Sequence, residues 1–178
     1  MFQQLIPDVY LKNVYDINIK KLHQTKNIKG IIVDLDNTLV PWGLNKIDPK
    51  ILSWIKQAKQ NDMRMCIVSN SRTNHVTEIG RRLDIPHYSS RFKPFKKPFL
   101  KAMKLMNTKP NETAVIGDQL FTDILGGNRL NLLTILVLPI TQQDALGTRL
   151  IYRALEKLIM FFWFKNDKIR LIKNNWPS

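Results

Sequence analysis

Short apolar runs alternate along the chain with segments whose apolar residues recur every three or four positions. The runs are short, rich in β-branched residues and bounded by turn formers, which is the signature of buried strands. They predict strands at Ile28–Asp36 (IKGIIVDLD), Met63–Asn70 (MRMCIVSN), Ile85–Tyr88, Thr113–Asp118 (TAVIGD) and Leu132–Pro139 (LLTILVLP). The intervening periodic segments predict helices over 48–61, 73–83, 98–106 and 122–130. Asp48 stands as N-cap of the first, with Pro49 at its first helical position. Strands separated by helices form parallel sheets covered on both faces, so the expected class is α/β.

In such sheets ligands bind beyond the carboxyl ends of the strands. The polar residues at those ends therefore carry the information. Asp34 and Asp36 follow the first strand in Asp34-Leu35-Asp36-Asn37-Thr38. Two carboxylates so placed can divide the work of nucleophile and general acid/base. Their like charge calls for a cation, and Mg2+ prefers oxygen ligands shared with a phosphate. The bland alternative is an Asx turn or cap. Ser69-Asn70-Ser71 ends the second strand. The Ser69 hydroxyl suits a phosphoryl oxygen, while Ser71 or Thr73 would serve as N-cap of the next helix. Asp118 ends the fourth strand and can complete a metal site. Asp123 follows at a helix start, where it can support the lysine or metal or simply favour the helix dipole.

Charge sharpens this picture. The 178 residues carry a net charge of +14, with a pI of about 10.0. A field of that sign draws phosphorylated substrates, nucleic acid or acidic lipid surfaces. Arg91 to Lys109 holds seven basic residues and no acidic one. Within it, Lys93-Pro94 and Lys97-Pro98 compete as the source of a lysine that neutralises transferring phosphate. An apolar content of 44% excludes a disordered chain. Cys66 is the single cysteine, which excludes an intrachain disulfide and fits a core position in a reducing compartment. The longest apolar run, Leu158 to Phe164, is far short of the roughly 20 residues a spanning helix needs. The N-terminus lacks the pattern of a signal peptide, so the expected location is cytoplasmic. No Walker-type P-loop occurs. His23, His75 and His87 lack metal-ligand spacing and are expected to be surface or satisfied core histidines.

Taken in order, D-x-D-x-T, a strand-end serine, Lys-Pro and G-D-x-x-x-T-D resemble the four motifs of the haloacid dehalogenase-like (HAD) phosphatase superfamily. DLDNTLVPW, SNS and GDQLFTDILGGNR, followed by a strand ending in Leu-Pro, are similar to the YqeG-type phosphatases of its subclass IIIA. The resemblance implies a three-layer Rossmann-like fold and an aspartyl-phosphate mechanism. Asp34 is then the nucleophile and Asp36 the acid/base, with Thr38 orienting their loop. Ser69 binds the phosphoryl group with Asn70 as helper, and Lys93 is the better candidate for the motif lysine, with Lys97 beside it. Asp34, the main-chain carbonyl of Asp36 and Asp118 would hold Mg2+. Only 35 positions separate Asp34 from Ser69 and 24 separate Ser69 from Lys93, so no large cap domain fits between them.

The phosphatase domain is expected over 1–143, with an N-terminal extension over 1–27. A basic amphipathic helix and tail is expected over 144–178. Leu146, Leu150, Leu155, Leu158, Ile159 and Phe162 can share one face of that helix, and Arg149, Arg153 and Lys157 another. Lys165, Lys168, Arg170, Lys173 and Trp176 continue the basic and aromatic pattern, which suits either a membrane surface or packing on the sheet. YqeG-type relatives include phosphatidylglycerophosphate phosphatases, which makes a phospholipid phosphomonoester at the inner face of a membrane the leading substrate. A nucleic-acid end phosphatase and a basic interaction module with little activity remain the alternatives.

Overall fold

In the computed structural model, which describes residues 2–141 and 148–165, the apolar runs form one sheet of six strands, all parallel. The strands are β1 (Val9–Leu11), β2 (Gly30–Val33), β3 (Arg64–Ser69), β4 (His87–Ser89), β5 (Thr113–Gly117) and β6 (Leu133–Val137). The helices are α1 (Ile19–Lys26), α2 (Pro49–Gln60), α3 (Thr73–Leu83), α4 (Lys96–Met106), α5 (Leu125–Asn128) and α6 (Thr148–Lys165), and a π-helical turn, Leu120–Ile124, leads into α5. The strand order is β1-β6-β5-β2-β3-β4. This places β2 between β3 and β5, so that Asp34, Ser69 and Asp118 leave three adjacent strands at the same edge.

Side chains alternate across a strand, and the sheet divides its apolar residues accordingly. Ile31, Val33, Met65, Ile67, Ala114, Ile116, Ile135 and Val137 join one core cluster with Leu22 of α1, Trp54 of α2 and Ile79 of α3. Ile32, Cys66, Val68 and Val115 face the other way, onto Phe99, Ala102, Met103 and Met106 of α4. The result is the expected three-layer α/β arrangement, with no second domain inserted among the described residues.

Helix starts follow local chemistry in one case and not in another. Asp48 caps α2, accepting a hydrogen bond from the Lys50 N–H at 2.8 Å with Pro49 behind it. Neither Ser71 nor Thr73 caps α3. Arg72 holds that position without a side-chain bond, because the Ser71 hydroxyl is engaged elsewhere.

Two features depart from the sequence reading. The first 27 residues contribute a strand, β1, which pairs with β6 and adds a sixth member to the five expected. The Asp8 carboxylate fixes this edge, accepting from the Thr134 N–H at 2.8 Å and the Thr134 hydroxyl at 2.9 Å. The second departure is the face of α6. The pattern lets Leu155, Leu158, Ile159 and Phe162 share one face, yet Leu155, Leu158 and Phe162 are 43%, 51% and 51% exposed. Ile159 and Trp163 are buried instead, against Leu5, Tyr10, Leu120, Ile124 and Leu136. The physical reason is Glu156, whose buried carboxylate accepts from the Phe121 N–H at the π-helical turn and fixes the rotation of the helix. Asp144, Leu146, Lys168, Arg170, Lys173 and Trp176 lie outside the described residues. Among the described residues no helix is long and apolar enough to cross a membrane.

Candidate active site

The Asp34 run leaves β2 in a tight loop. The N–H of Asp34 still donates to Ile116 O at 2.9 Å, which extends the sheet pairing by one residue. The N–H groups of Thr38, Leu39 and Val40 then all turn back to Leu35 O. Asn37 takes the left-handed conformation at φ 61°, which asparagine tolerates well. Its side-chain oxygen accepts from the Trp42 N–H, the Thr141 N–H and the Thr141 hydroxyl, and its main-chain carbonyl accepts from the Ile140 N–H. The loop is thereby tied to the exit of β6. The Thr38 hydroxyl lies 3.5 Å from Asp118 Oδ1 and joins the loop to β5.

Lys93 comes from the loop before α4 and buries its ammonium in the centre of the site. Nζ donates to Asp34 Oδ1 and to Asp123 Oδ1, both at 2.6 Å, with the lysine side chain only 2% exposed. Lys97 lies on α4 with its side chain in solvent, away from this cluster. Burial alone would depress the Lys93 ammonium. The carboxylates of Asp123 and Asp34 overrule that effect and hold it charged, above the ordinary lysine range. Burial also pushes the Asp34 carboxyl up to about 7. Lys93 opposes the shift, and the nearby charges of Asp123 and Asp36 add to it.

Asp36 has separate partners. Its Oδ2 accepts from the Ser71 hydroxyl, and its Oδ1 lies 3.1 Å from His75 Nε2. Two carboxylates two residues apart thus sit in different surroundings, one salt-bridged to a buried cation and one held by a hydroxyl and an imidazole. That separation is how a pair of acids acquires different roles. Ser69 is buried at the end of β3, and its Oγ accepts from the Ser71 N–H at 3.2 Å. Asn70 accepts from the Lys93 N–H at 3.3 Å, fixing the lysine loop. Asp34, Asp36, Ser69, Asn70, Ser71 and Lys93 line one opening together with Trp42, Gln119 and Thr122.

Sequence reasoning passed over Ser71 as anything but a cap, and set His75 aside with the other histidines. His75 enters the site from the first turn of α3, the helix that begins just beyond the Ser69 strand end. That position was the available signal: a residue in the first turn after a strand end sits over the site. His23 and His87 do behave as expected, each with its ring Nδ1 near a main-chain carbonyl, Ile28 O and Ile85 O respectively.

The chemistry of the donors suits a hard divalent cation. Buried Asp34, Asp118 and Asp123 each offer a carboxylate oxygen within 4.8 Å of the others, against the single positive charge of Lys93. An all-oxygen set with surplus negative charge selects Mg2+-like ions over soft metals. Asp123 already bonds Lys93 through Oδ1 and the Thr122 hydroxyl through Oδ2, which leaves it better placed as a support than as a ligand. Gly117 makes that support possible, since a Cβ there would stand 2.2 Å from Asp123 Cγ.

Comparison with known proteins agrees with this geometry. A family model described as "Mitochondrial PGP phosphatase" matches residues 2–141. The chain is 41% identical over 144 residues to "Probable phosphatase YqeG" of Bacillus subtilis (strain 168), which covers 81% of this chain and 83% of that protein. Among solved structures, the cobalt-bound deoxy-D-mannose-octulosonate 8-phosphate phosphatase of Haemophilus influenzae aligns with a TM-score of 0.52 at 18% identity. That alignment spans 63% of this chain and 69% of that one. A putative HAD family hydrolase from Streptomyces avermitilis aligns with a TM-score of 0.50 at 14% identity, over 62% and 66% of the two chains. At those identities the structural likeness speaks for the fold alone.

Proposed function

The chain belongs to the PGP phosphatase family and is a phosphatase of the HAD superfamily; on that premise we propose that it hydrolyses a phospholipid phosphomonoester, such as phosphatidylglycerophosphate, with Mg2+ as cofactor. The observation that carries the reading is the buried Lys93 ammonium bridging Asp34 and Asp123 at the strand ends, with Asp36 held apart on other partners.

Asp34 Oδ attacks phosphorus as the bond to the leaving oxygen breaks, and that oxygen takes its proton from Asp36. Water then attacks the aspartyl phosphate, gives its proton to Asp36, and releases phosphate with Asp34 regenerated. Lys93 and Ser69 hold the transferring oxygens and stabilise the charge that develops on them. Asn70 fixes the Lys93 loop and Thr38 orients the Asp34 loop. Asp34, the main-chain carbonyl of Asp36 and Asp118 would hold the cation, with Asp123 behind. When bound, Mg2+ offsets phosphate charge and screens the nucleophile from the anion it attacks.

Several features favour a substrate presented at a surface. No inserted domain covers the opening among the described residues. Phe92 and Phe95 bracket Lys93 and are 65% and 64% exposed, with Arg91, Lys96 and Lys97 exposed beside them. Phe161 and Phe162 extend the exposed apolar side of α6, which packs on the π-helical turn that borders the opening. Aromatic and basic residues together suit an anionic lipid surface, which supports a position on the inner face of a membrane.

The test is phosphate release with Mg2+ from phosphatidylglycerophosphate in vesicles, compared with 3′-phosphorylated DNA. Faster turnover of the lipid, abolished by EDTA and reduced at least about 1,000-fold in Asp34→Asn, is expected. Faster release from the DNA end would replace the lipid reading with the nucleic-acid one, which the charge of +14 also favours.

A further inference from the structure

The mechanism asks Asp36 to aim one carboxyl at the leaving oxygen, yet nothing in the Asp34 loop itself fixes that side chain. Its partners, Ser71 and His75, come from the turn after β3 and from α3. The chain of contacts beyond them is directional. Glu78 Oε1 accepts from Asn45 Nδ2 at 2.7 Å, so the amide nitrogen of Asn45 points at Glu78 and its oxygen points the other way. That oxygen lies 2.9 Å from His75 Nδ1, which therefore carries a hydrogen and donates it. The ring is thus locked in plane, with Nε2 directed at Asp36 Oδ1. Arg82 closes the far end, donating to the Asn45 main-chain carbonyl at 2.6 Å.

His75, Glu78 and Arg82 are spaced i, i+3, i+7 and form one stripe of α3. All three reach the same residue of the loop that follows Trp42, and the imidazole alone goes on to touch Asp36 at the opening. The His75 side chain is 18% exposed, so it borders solvent without being a surface residue. A helix stripe that clamps a loop needs no imidazole for that purpose. What the imidazole adds is the contact with Asp36.

Resting on the phosphatase reading above, we propose that His75 is a positioning residue for the reaction: clamped through Asn45 and Glu78, it sets the rotamer of Asp36 for proton transfer to the leaving oxygen. His75 takes no part in the balance of bonds. The proton still passes from Asp36 to the leaving group and returns to Asp36 from water.

Leaving-group dependence isolates this role, because a poor leaving group needs the proton and a good one does not. The measurement is kcat/KM of the Mg2+-loaded enzyme on an alkyl phosphomonoester and on p-nitrophenyl phosphate. In His75→Ala the alkyl value should fall about 100-fold and the aryl value less than about threefold, within the usual range for general acid catalysis. Two amide variants separate position from folding. His75→Asn keeps a donor where Nδ1 was and loses the reach to Asp36, so it should behave as alanine does. His75→Gln places its amide near the Nε2 position and should recover to within about fivefold of the parent. Equal losses on both substrates, or equal values for the two amide variants, would overturn the proposal even if the alanine variant failed to fold. Asp36→Asn is the control on the underlying reading. If it too shows no leaving-group dependence, the assignment of the acid fails; if it does and the His75 variants do not, only the positioning role fails.

Discussion

Replacing Lys93 by methionine removes the only positive charge that, among the described residues, contacts Asp34 and Asp123, while keeping most of the side-chain volume. The ammonium lies 2.6 Å from an oxygen of each carboxylate, and the Lys93 and Asp123 side chains are both 2% exposed. Removing one partner of a buried ion pair typically costs about 3–5 kcal/mol, because the remaining charge has neither water nor a counterion. The carboxyls can relieve this by taking up a proton. Asp34 already sits at about 7 with the lysine beside it, so without the lysine it moves higher still. The native variant therefore binds more protons than its unfolded chain from the usual carboxylate range up through neutrality, and its stability falls as pH rises across that window. Urea unfolding in EDTA should show a deficit of about 3–4 kcal/mol at pH 7.5 that shrinks markedly by pH 5. Adding Asp123→Asn to Lys93→Met takes away one buried anion and should return at least about 2 kcal/mol at pH 7.5. Turnover should stay at least about 100-fold down in both, since the lost donor also serves the transferring oxygens. A deficit below about 1 kcal/mol that is flat with pH, or no recovery in the double variant, would refute the argument that this cation neutralises the site.

Two further outcomes follow from neighbouring contacts. Gly117→Ala should cost at least about 100-fold in turnover, with secondary structure by circular dichroism unchanged, because its Cβ would displace the Asp123 carboxylate that holds Lys93. Cys66 is fully buried with its thiol pushed up to about 12 by burial, so a thiol reagent at pH 8 should label it only after denaturant is added.

The strand ends that carry the chemistry were readable because a parallel sheet puts every informative side chain at one edge. GIIV, MCIVS and TAVIG are continuous apolar runs, and the polar residue that stops each run is the one that enters the site. β1 was not readable. Val9–Leu11 is three residues long, too short for any period, and it exists only because β6 offers an unpaired edge. The rotation of α6 was not readable for a related reason. Its apolar residues wrap most of the helix, so the pattern admits several rotations, and the hydrogen bond from the Phe121 N–H to Glu156 helps to select one. The contact of His75 with Asp36 joins positions 39 apart, and the sequence hints at it only through the place of His75 in the first turn after a strand end.

The opening segment guards two things at once. Without Val9–Leu11 the apolar rim Leu133–Val137 would lie bare along its backbone, an invitation to pair with another molecule. The same rim runs into Ile140 and Thr141, which brace Asn37 beneath the nucleophile's turn. A version of this protein trimmed through Leu11 would therefore put solubility and catalysis at risk together, and any tag at that end belongs before the anchor that Asp8 makes with Thr134.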